Sequence, residues 1–220
     1  MINFKITFLF FLLCLHHSIT VSQKRIIVGA DQVEKYLPLL KDKKVGIVAH
    51  QASIVNSKTH LVDSLVSLKI NIKKVFAPEH GFRGELDAGE VFTNNFDPKT
   101  KLPVISLYGK KKKPSDEDLN GISIMVFDLQ DVGARFYTYL STLHYIMEAC
   151  SEKNIPLILL DRPNPNIHYV DGPVLDLENK SFVGMHPVPI VYGMTIGEYA
   201  KMINGEGWLN EGKRCDLNVI

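Results

Sequence analysis

The sequence is poor in cysteine, with three among 220 residues. Cys14 falls in an apolar N-terminal segment, so only Cys150 and Cys215 belong to the part of the chain with globular patterning. Disulfide frameworks normally use more cysteines than this, and structural zinc sites normally use closely spaced pairs of them. The sequence therefore predicts neither, and the helical apolar pattern around Cys150 predicts a buried thiol.

An excess of charge of either sign is also missing. The chain has 25 basic and 24 acidic residues, and its formal net charge is +1. A protein that binds nucleic acid through the phosphates normally carries a basic excess. Nucleic acid is therefore not expected to be a partner, and the basic run at residues 110–113 is expected to be a solvated loop.

Several sequence motifs of common enzyme classes are absent. No GxGxxG follows the first predicted strand and no phosphate-binding loop with its lysine is present, so nucleotide binding lacks its usual phosphate cradle. No GxSxG sequence offers a serine nucleophile, and the histidines lack the HExxH spacing of zinc proteases. These absences leave chemistry that carboxylates, amides and aromatic rings can perform.

The first 22 residues have the features of a secretory signal peptide. Lys5 precedes an apolar run at residues 6–15, and small residues at 20–22 precede the expected cleavage site after Ser22. An N-terminal membrane anchor is the alternative, but the run is shorter than the roughly 20 apolar residues that a membrane span needs. We therefore expect a secreted or periplasmic protein with no stable membrane span after cleavage.

Strand-like and helix-like segments alternate along the rest of the chain. Six apolar runs are typical of buried strands, at residues 44–50, 72–77, 103–107, 122–129, 156–160 and 217–220. Helical spacing is present at 58–68 and 139–153, and Thr195 with Glu198 forms a capping box for a helix that extends to about residue 203. The strands are apolar on both faces, which predicts an α/β fold: a Rossmann-like, mostly parallel sheet with helices on both faces.

Polar residues follow four of the predicted strands. In an open parallel sheet, ligands bind at the carboxyl ends of the strands. Residues of these types also begin turns, so each cluster taken alone is compatible with an ordinary turn. Four such clusters at one edge predict a functional site, and its candidate residues are His50 after the first strand, Glu79 and His80 after the second, Asp128, Gln130 and Asp131 after the fourth, and Asp161, Arg162 and Asn164 after the fifth.

The densest of these clusters is APEHGFRGE at residues 77–85, where Gly81 and Gly84 allow the backbone to bend beside the acid and the imidazole. Carboxylates beside aromatic residues such as Phe136 and Tyr137 suit glycoside hydrolysis, in which one carboxylic acid protonates the leaving oxygen. The same oxygen-rich edge also suits a magnesium or calcium ion. The residue pattern alone leaves both open.

Five segments, taken in order, resemble the DUF1343 family: APEHGFRGE, FDLQDVGARFYTYLSTL, LLDRPNP, HPVPIVYGMTIGE and INGEGWL. The resemblance extends from about residue 26 to the last residue. Characterised members of the family are exo-β-N-acetylmuramidases of the NamZ type, in glycoside hydrolase family 171. The resemblance implies a secreted or periplasmic enzyme that releases N-acetylmuramic acid from the non-reducing end of peptidoglycan fragments. It also implies a Rossmann-like N-terminal domain, a smaller C-terminal domain and an active site in the cleft between them.

The resemblance and the polar edge together imply roles for the site residues. Glu79, the acid of the PEHG motif, is expected to be the general acid. Asp128 or Asp131 is expected to be the second carboxylate or to hold sugar hydroxyls, and Arg83 or Arg135 to bind the lactyl carboxylate of muramic acid through a bidentate contact. The remaining candidates for substrate binding are His50, His80, Gln130, Tyr137, Asp161, Arg162 and Asn164. No metal or organic cofactor is expected, and the expected partners are peptidoglycan-derived muropeptides or disaccharides.

The chain stops inside the predicted strand at 217–220, which is unusual for a complete domain. We therefore expect residues 23–220 to be a catalytic domain truncated at its C-terminus, with a second domain missing. Two other functions remain open. One is a non-catalytic muropeptide-binding module, which would not turn over a chromogenic muramic acid glycoside. The other is a metal-dependent phosphoryl-transfer hydrolase, which a chelator would inactivate.

Overall fold

The computed structural model describes residues 26–87, 89–90 and 93–220, so the predicted signal peptide lies outside the described residues. The helices are α1 (Val33–Leu40), α2 (Leu61–Ser67), α3 (Asp116–Leu119), α4 (Tyr139–Lys153) and α5 (Ile196–Gly205). The strands are β1 (Val45–Ala49), β2 (Ile54–Val55), β3 (Thr59–His60), β4 (Ile72–Ala77), β5 (Asn95–Phe96), β6 (Pro103–Ser106), β7 (Ile124–Asp128), β8 (Leu157–Leu159) and β9 (Leu217–Val219). Short 3₁₀ helices lie at Gly29–Asp31, Leu177–Asn179 and Asn210–Gly212.

Seven of the described strands form one central sheet in the order β5-β6-β4-β1-β7-β8-β9. The six strands from β6 to β9 in this order are parallel, and β5 pairs antiparallel with β6 at one edge. The predicted α/β fold with a mostly parallel sheet is therefore confirmed. Sequence reasoning missed β5 because this strand has only two residues and both are exposed, so it has no apolar run.

Helices cover both faces of the sheet because successive strand residues point to opposite faces. Phe127 of β7 belongs to a buried cluster with Leu143 of α4. Its neighbour Val126 belongs to a second cluster with Tyr36 of α1 and Leu65 of α2. The two clusters are the two cores of a three-layer fold, with α4 and α5 on one side of the sheet and α1 and α2 on the other.

The strand order creates a switch point between β1 and β7, which are neighbours in the sheet. The chain leaves β1 towards α2 on one face, and it leaves β7 towards α4 on the opposite face. The loops that follow these strands therefore separate and leave a crevice at the carboxyl edge of the sheet, which is where ligands bind in folds of this type. None of the helices in the described part of the chain is long and apolar enough to cross a membrane.

Candidate active site

A cavity of about 330 Å³ opens at the carboxyl edge of the sheet, beside the switch point. The loop after β4, the end of β6 and the start of α4 supply most of its wall. Its lining combines a carboxylate, an imidazole and four aromatic rings, and it consists of Glu79, His80, Tyr108, Phe136, Tyr137, Thr138, Tyr139 and Val183. Aromatic faces beside one acid are suited to a sugar ring, which presents apolar C–H groups and polar hydroxyls together.

Glu79 is held in the cavity by donors from three separate segments. Its Oε1 accepts a hydrogen bond from the Gly89 backbone N–H at 3.1 Å, and its Oε2 accepts one from Thr138 Oγ1 at 3.1 Å. Hydrogen bonding to Glu79 also raises the pKa of the Tyr108 hydroxyl above its usual value. Thr138 directly precedes the 15-residue helix α4, so the position of the carboxylate depends on the loop after β4 and on the start of α4.

His80 enters the cavity through a sharp backbone turn. Its φ of 69° lies in the left-handed region, and Gly81 follows with a φ of 77°. The turn is closed by the Gly81 N–H, which donates to the Pro78 carbonyl at 3.1 Å. A non-glycine residue in this conformation costs about 1 kcal/mol or more and is often found at functional sites. Gly84 also has a positive φ, at 76°, so both glycines of the motif serve the turning role expected of them.

His50 lies one hydrogen bond behind the cavity wall. Its Nδ1 is 3.2 Å from Tyr139 Oη, and its Nε2 accepts a hydrogen bond from the Gln130 backbone N–H at 2.9 Å. Burial, together with neighbouring Arg162, lowers the pKa of His50 to about 3, so the imidazole is neutral at physiological pH. His50 does not line the cavity itself, but it holds a residue that does.

Asp128 and Arg162 form a buried ion pair away from the cavity. Arg162 Nε donates to Asp128 Oδ1 at 2.6 Å and its Nη2 donates to Oδ2 at 2.9 Å. The Asp128 side chain is 0% exposed and that of Arg162 is 7% exposed. From the sequence, Asp128 was expected to be catalytic and Arg162 to bind substrate. In the structure the two side chains instead bind each other. Neither belongs to the residues that line the cavity.

Asp131 is also buried and lies outside the cavity lining. Its Oδ2 accepts hydrogen bonds from the Tyr192 hydroxyl and from the Gly133 N–H, the latter at 2.7 Å. Its Oδ1 has no hydrogen-bond partner among the described residues. Burial raises the pKa of this carboxyl, and the hydrogen bond from Tyr192 opposes the rise.

The two arginines predicted to bind the substrate carboxylate are engaged within the chain. Arg83 Nη2 donates to Asp63 Oδ1 at 2.9 Å and to Asp97 Oδ2 at 2.8 Å, and its other nitrogens donate to the same two carboxylates. Arg135 Nη1 donates to the backbone carbonyls of Pro173 and Val188. These contacts stabilise loops around the site, and neither guanidinium lines the cavity.

Three further candidates connect the loops at the carboxyl edge to one another. Asp161 Oδ1 accepts the Gly197 N–H at 2.8 Å, which joins the end of β8 to the start of α5. Asn164 Nδ2 donates to the Met194 carbonyl at 2.8 Å. Gln130 Nε2 donates to the Pro163 carbonyl at 2.9 Å. Their roles in substrate binding stay predictions, since each side chain already has partners within the chain.

Of the predicted site residues, Glu79, His80 and Tyr137 line the cavity, and His50 contacts its wall. Sequence reasoning missed Tyr108 and Thr138. Tyr108 directly follows the third predicted strand. It would have been found if the polar residues that follow this strand had been considered together with those after the other four. Thr138 precedes the predicted helix by one residue, where a hydroxyl resembles an ordinary cap. Among the described residues, no three His, Cys, Asp or Glu side chains are grouped so that they could hold a metal ion.

Residues 45–220 match the protein-family model described as Exo-beta-N-acetylmuramidase NamZ, N-terminal. The chain belongs to this family. The resemblance inferred from the five sequence motifs is therefore confirmed.

The chain is similar to a curated protein and to two solved structures. The protein named Peptidoglycan beta-N-acetylmuramidase NamZ, from Bacillus subtilis (strain 168), is 44% identical over 204 residues, which cover 91% of this chain and 48% of that protein. Crystal structures of two DUF1343 family proteins from Bacteroides fragilis NCTC 9343 each have a TM-score of 0.80 to this chain. The first is 44% identical and the matched region covers 90% of this chain and 52% of that one; the second is 38% identical, with 89% and 50% covered. The chain spans about half the length of these NamZ and DUF1343 relatives.

Proposed function

We propose that residues 23–220 form the Rossmann-like catalytic domain of a glycosidase that cleaves the β-glycosidic bond after N-acetylmuramic acid. Its substrates would be muropeptides or disaccharides derived from peptidoglycan, with N-acetylmuramic acid released from the non-reducing end in cell-wall turnover. One observation carries the proposal: the acid of the PEHG motif lies in an aromatic-lined cavity of a chain that is 44% identical to a peptidoglycan β-N-acetylmuramidase.

Glu79 is the proposed general acid of this reaction. Cleavage of a glycosidic bond requires a proton on the departing oxygen, and a carboxylic acid beside the bond supplies it. Glu79 is the only carboxylate among the described residues that line the cavity. Asp128 is less suited to act as a second carboxylate, because leaving the ion pair would strand Arg162 as an unpaired buried charge.

The test of this role compares wild-type protein and Glu79→Gln, both full-length, on two muramic acid glycosides. Glutamine keeps the shape of the side chain and removes the proton. With a sugar leaving group the rate should fall about 10²- to 10⁴-fold, the usual contribution of general acid catalysis. With a nitrophenol leaving group the loss should be much smaller, because nitrophenolate departs with little protonation.

Glu34→Gln is the matched control, since Glu34 is exposed on α1 and lies outside the cavity. Equal losses on the two substrates would contradict the acid role of Glu79. A wild-type protein that binds muropeptides but turns over neither substrate would favour the non-catalytic binding module.

We also propose that the protein is exported, so that it meets peptidoglycan outside the cytoplasm. The support is the sequence pattern of residues 1–22, with Lys5, an apolar run and small residues before Ser22. N-terminal sequencing of secreted or periplasmic material should then find a first residue near Gln23. Material from that compartment that begins at Met1 would contradict cleavage.

A further inference from the structure

We propose that Tyr139 donates a hydrogen bond to an oxygen of the bound sugar, and that His50 is the positioning residue that directs this donor. The inference rests on the proposed function, since it takes the cavity beside Glu79 to be a glycosidase site. It assigns a role to a pair of residues at the switch point of the sheet, where the end of β1 meets the start of α4.

The backbone and ring of His50 are held from several sides. Its N–H donates to Ser53 Oγ at 3.0 Å, and its carbonyl is 2.9 Å from His60 Nε2. The His50 ring contacts the Tyr139 ring edge to face, with centroids 5.1 Å apart and an interplanar angle of 86°. His50 is 3% exposed and Tyr139 is 6% exposed. The relative position of the two rings is therefore set by packing before any ligand arrives.

The partners of His50 determine which ring nitrogen carries the proton. The backbone N–H of Gln130 can only donate, so His50 Nε2, at 2.9 Å, must be the unprotonated acceptor. A neutral imidazole has one N–H, which then lies on Nδ1 and donates to Tyr139 Oη at 3.2 Å. The pKa of about 3 for the buried His50 is consistent with this neutral tautomer at all physiological pH values.

The hydroxyl proton of Tyr139 is consequently left for another acceptor. A phenolic hydroxyl has one proton to donate, and the hydrogen bond from His50 uses only the oxygen. Within the described residues the Tyr139 hydroxyl has no acceptor of its own, and Tyr139 lines the cavity together with Glu79. Burial, together with the Glu79 carboxylate, raises the pKa of Tyr139 to about 12, so the hydroxyl keeps its proton near neutral pH.

A donor fixed in this way is useful to glycoside cleavage. A sugar oxygen bound beside Glu79 would meet a hydroxyl that is already oriented, in a site where little reorganisation is needed. Removal of one preorganised donor typically lowers kcat about 10²- to 10³-fold. The chemistry that the site recognises is a neutral sugar oxygen, and the acceptor is either a ring hydroxyl or the glycosidic oxygen itself.

The first experiment is Tyr139→Phe in the full-length protein, assayed on a muramic acid glycoside. The ring and its packing are kept and only the hydroxyl is lost, so kcat/KM should fall about 10²-fold. The protein should stay folded with a lower melting temperature, because the buried His50 Nδ1–H loses its acceptor. Tyr145→Phe is the control, because Tyr145 lies on the same helix, stacks on Phe182 and is outside the cavity. It should retain wild-type activity.

Two substitutions of His50 test the positioning role. The side-chain amide nitrogen of asparagine lies near the position of Nδ1, whereas that of glutamine lies near Nε2. His50→Asn should therefore keep a donor to Tyr139 and retain most of the activity, and His50→Gln should lose nearly as much as Tyr139→Phe. In the Tyr139→Phe background, His50→Gln should cause no further loss of activity, because the hydroxyl that His50 orients is already absent.

The outcomes separate this inference from the proposed function. A wild-type protein without activity on the glycoside contradicts the proposed function. An active wild type with Tyr139→Phe within about twofold of it contradicts the inference alone, since a lost preorganised donor should cost far more. Equal losses in His50→Asn and His50→Gln, or additive losses in the double variant, contradict the positioning role and identify His50 as a packing residue.

Discussion

At the scale of single residues, polar side chains at the carboxyl edge have two kinds of task. Glu79 and His80 reach the cavity, and the left-handed conformation of His80 indicates a local backbone cost that the surrounding structure must offset. Asp128 and Arg162 satisfy each other in the interior. All four are polar residues at strand ends, and only their partners distinguish site residues from structural ones.

The Asp128–Arg162 pair leads to a stability prediction. Asp128→Asn removes the negative charge and leaves a buried guanidinium without a counter-ion, so the free energy of unfolding should fall by about 3–5 kcal/mol. Asp116→Asn is the matched control, because Asp116 pairs with Lys153 while its side chain is 80% exposed. Exposed pairs contribute about 0–1 kcal/mol. Urea denaturation measures the free energy of unfolding of both variants. Equal losses in Asp128→Asn and Asp116→Asn would show that burial does not determine how much the Asp128–Arg162 pair contributes to stability.

At the scale of elements, the start of α5 is connected to the end of β8. Thr195 Oγ1 accepts the Glu198 N–H at 3.1 Å, and the Glu198 side chain accepts the Thr195 N–H at 2.9 Å, so the predicted capping box is confirmed. The same hydroxyl donates to Asp161 Oδ2 at 2.7 Å. The helix cap therefore also positions the loop that follows β8.

Replacing Thr195 should destabilise both the start of α5 and its connection to Asp161. Thr195→Ala removes the acceptor for one orphan helix N–H and the donor to Asp161, and loss of an N-cap alone costs about 0.5–2 kcal/mol. Thr195→Ser keeps the hydroxyl and is expected to stay within a few tenths of a kcal/mol of wild type. Thermal unfolding followed by circular dichroism compares the two. A serine variant as unstable as the alanine variant would mean that the methyl group, and not the hydroxyl, is what matters.

At the scale of the whole molecule, burial lowers the pKa of four histidines among the described residues, namely His50, His60, His144 and His186. Burial lowers the pKa of His50 and His186 to about 3 and that of His144 to about 4. His144 Nδ1 and His186 Nε2 are 3.0 Å apart, and His186 stacks on Trp208. Burial therefore disfavours the protonated form of each of these rings.

Because these histidines are buried, the stability of the fold should decrease as the pH falls. The unfolded chain binds protons at histidine below about pH 6.5, whereas the folded chain binds them only near the lowered values, so stability decreases as the pH falls from about 6.5 towards 4. Each such histidine contributes about 1.4 kcal/mol per pH unit in that window. Unfolding free energies measured between pH 7 and pH 5 should show the loss.

Single substitutions show which histidines cause the pH dependence of the free energy of unfolding. His144→Gln should make the decline shallower by about 1.4 kcal/mol per pH unit. His168→Gln, at an exposed position, should leave the slope unchanged. Stability that stays constant between pH 7 and pH 5 in the wild type would contradict the buried neutral state of these histidines.

Local patterns in the sequence determined most of the architecture. The six parallel strands were predicted because buried strands are short apolar runs, and α4 was predicted with the bounds Tyr139–Lys153 that it has in the structure. The position of Glu79 at the carboxyl edge also follows from the sequence, because parallel strands bring their carboxyl ends together. The missed elements include β5 and the hairpin of β2 and β3, which are two-residue strands too short to have a period. The helices α1, which contains Pro38, and α3, which has four residues, were also missed.

Only the tertiary structure decided which polar residue has which partner. Asp128 and Arg162 are 34 positions apart in the chain, and His50 and Tyr139 are 89 apart, so no local pattern links the members of either pair. Whether a carboxylate faces a cavity or a guanidinium depends on how loops from different strands meet in space. The sequence by itself thus determined the fold and the edge that holds the site. The three-dimensional packing decided that Glu79 lines the cavity while Asp128 is buried in an ion pair, because desolvated charges must find partners wherever the fold brings them together.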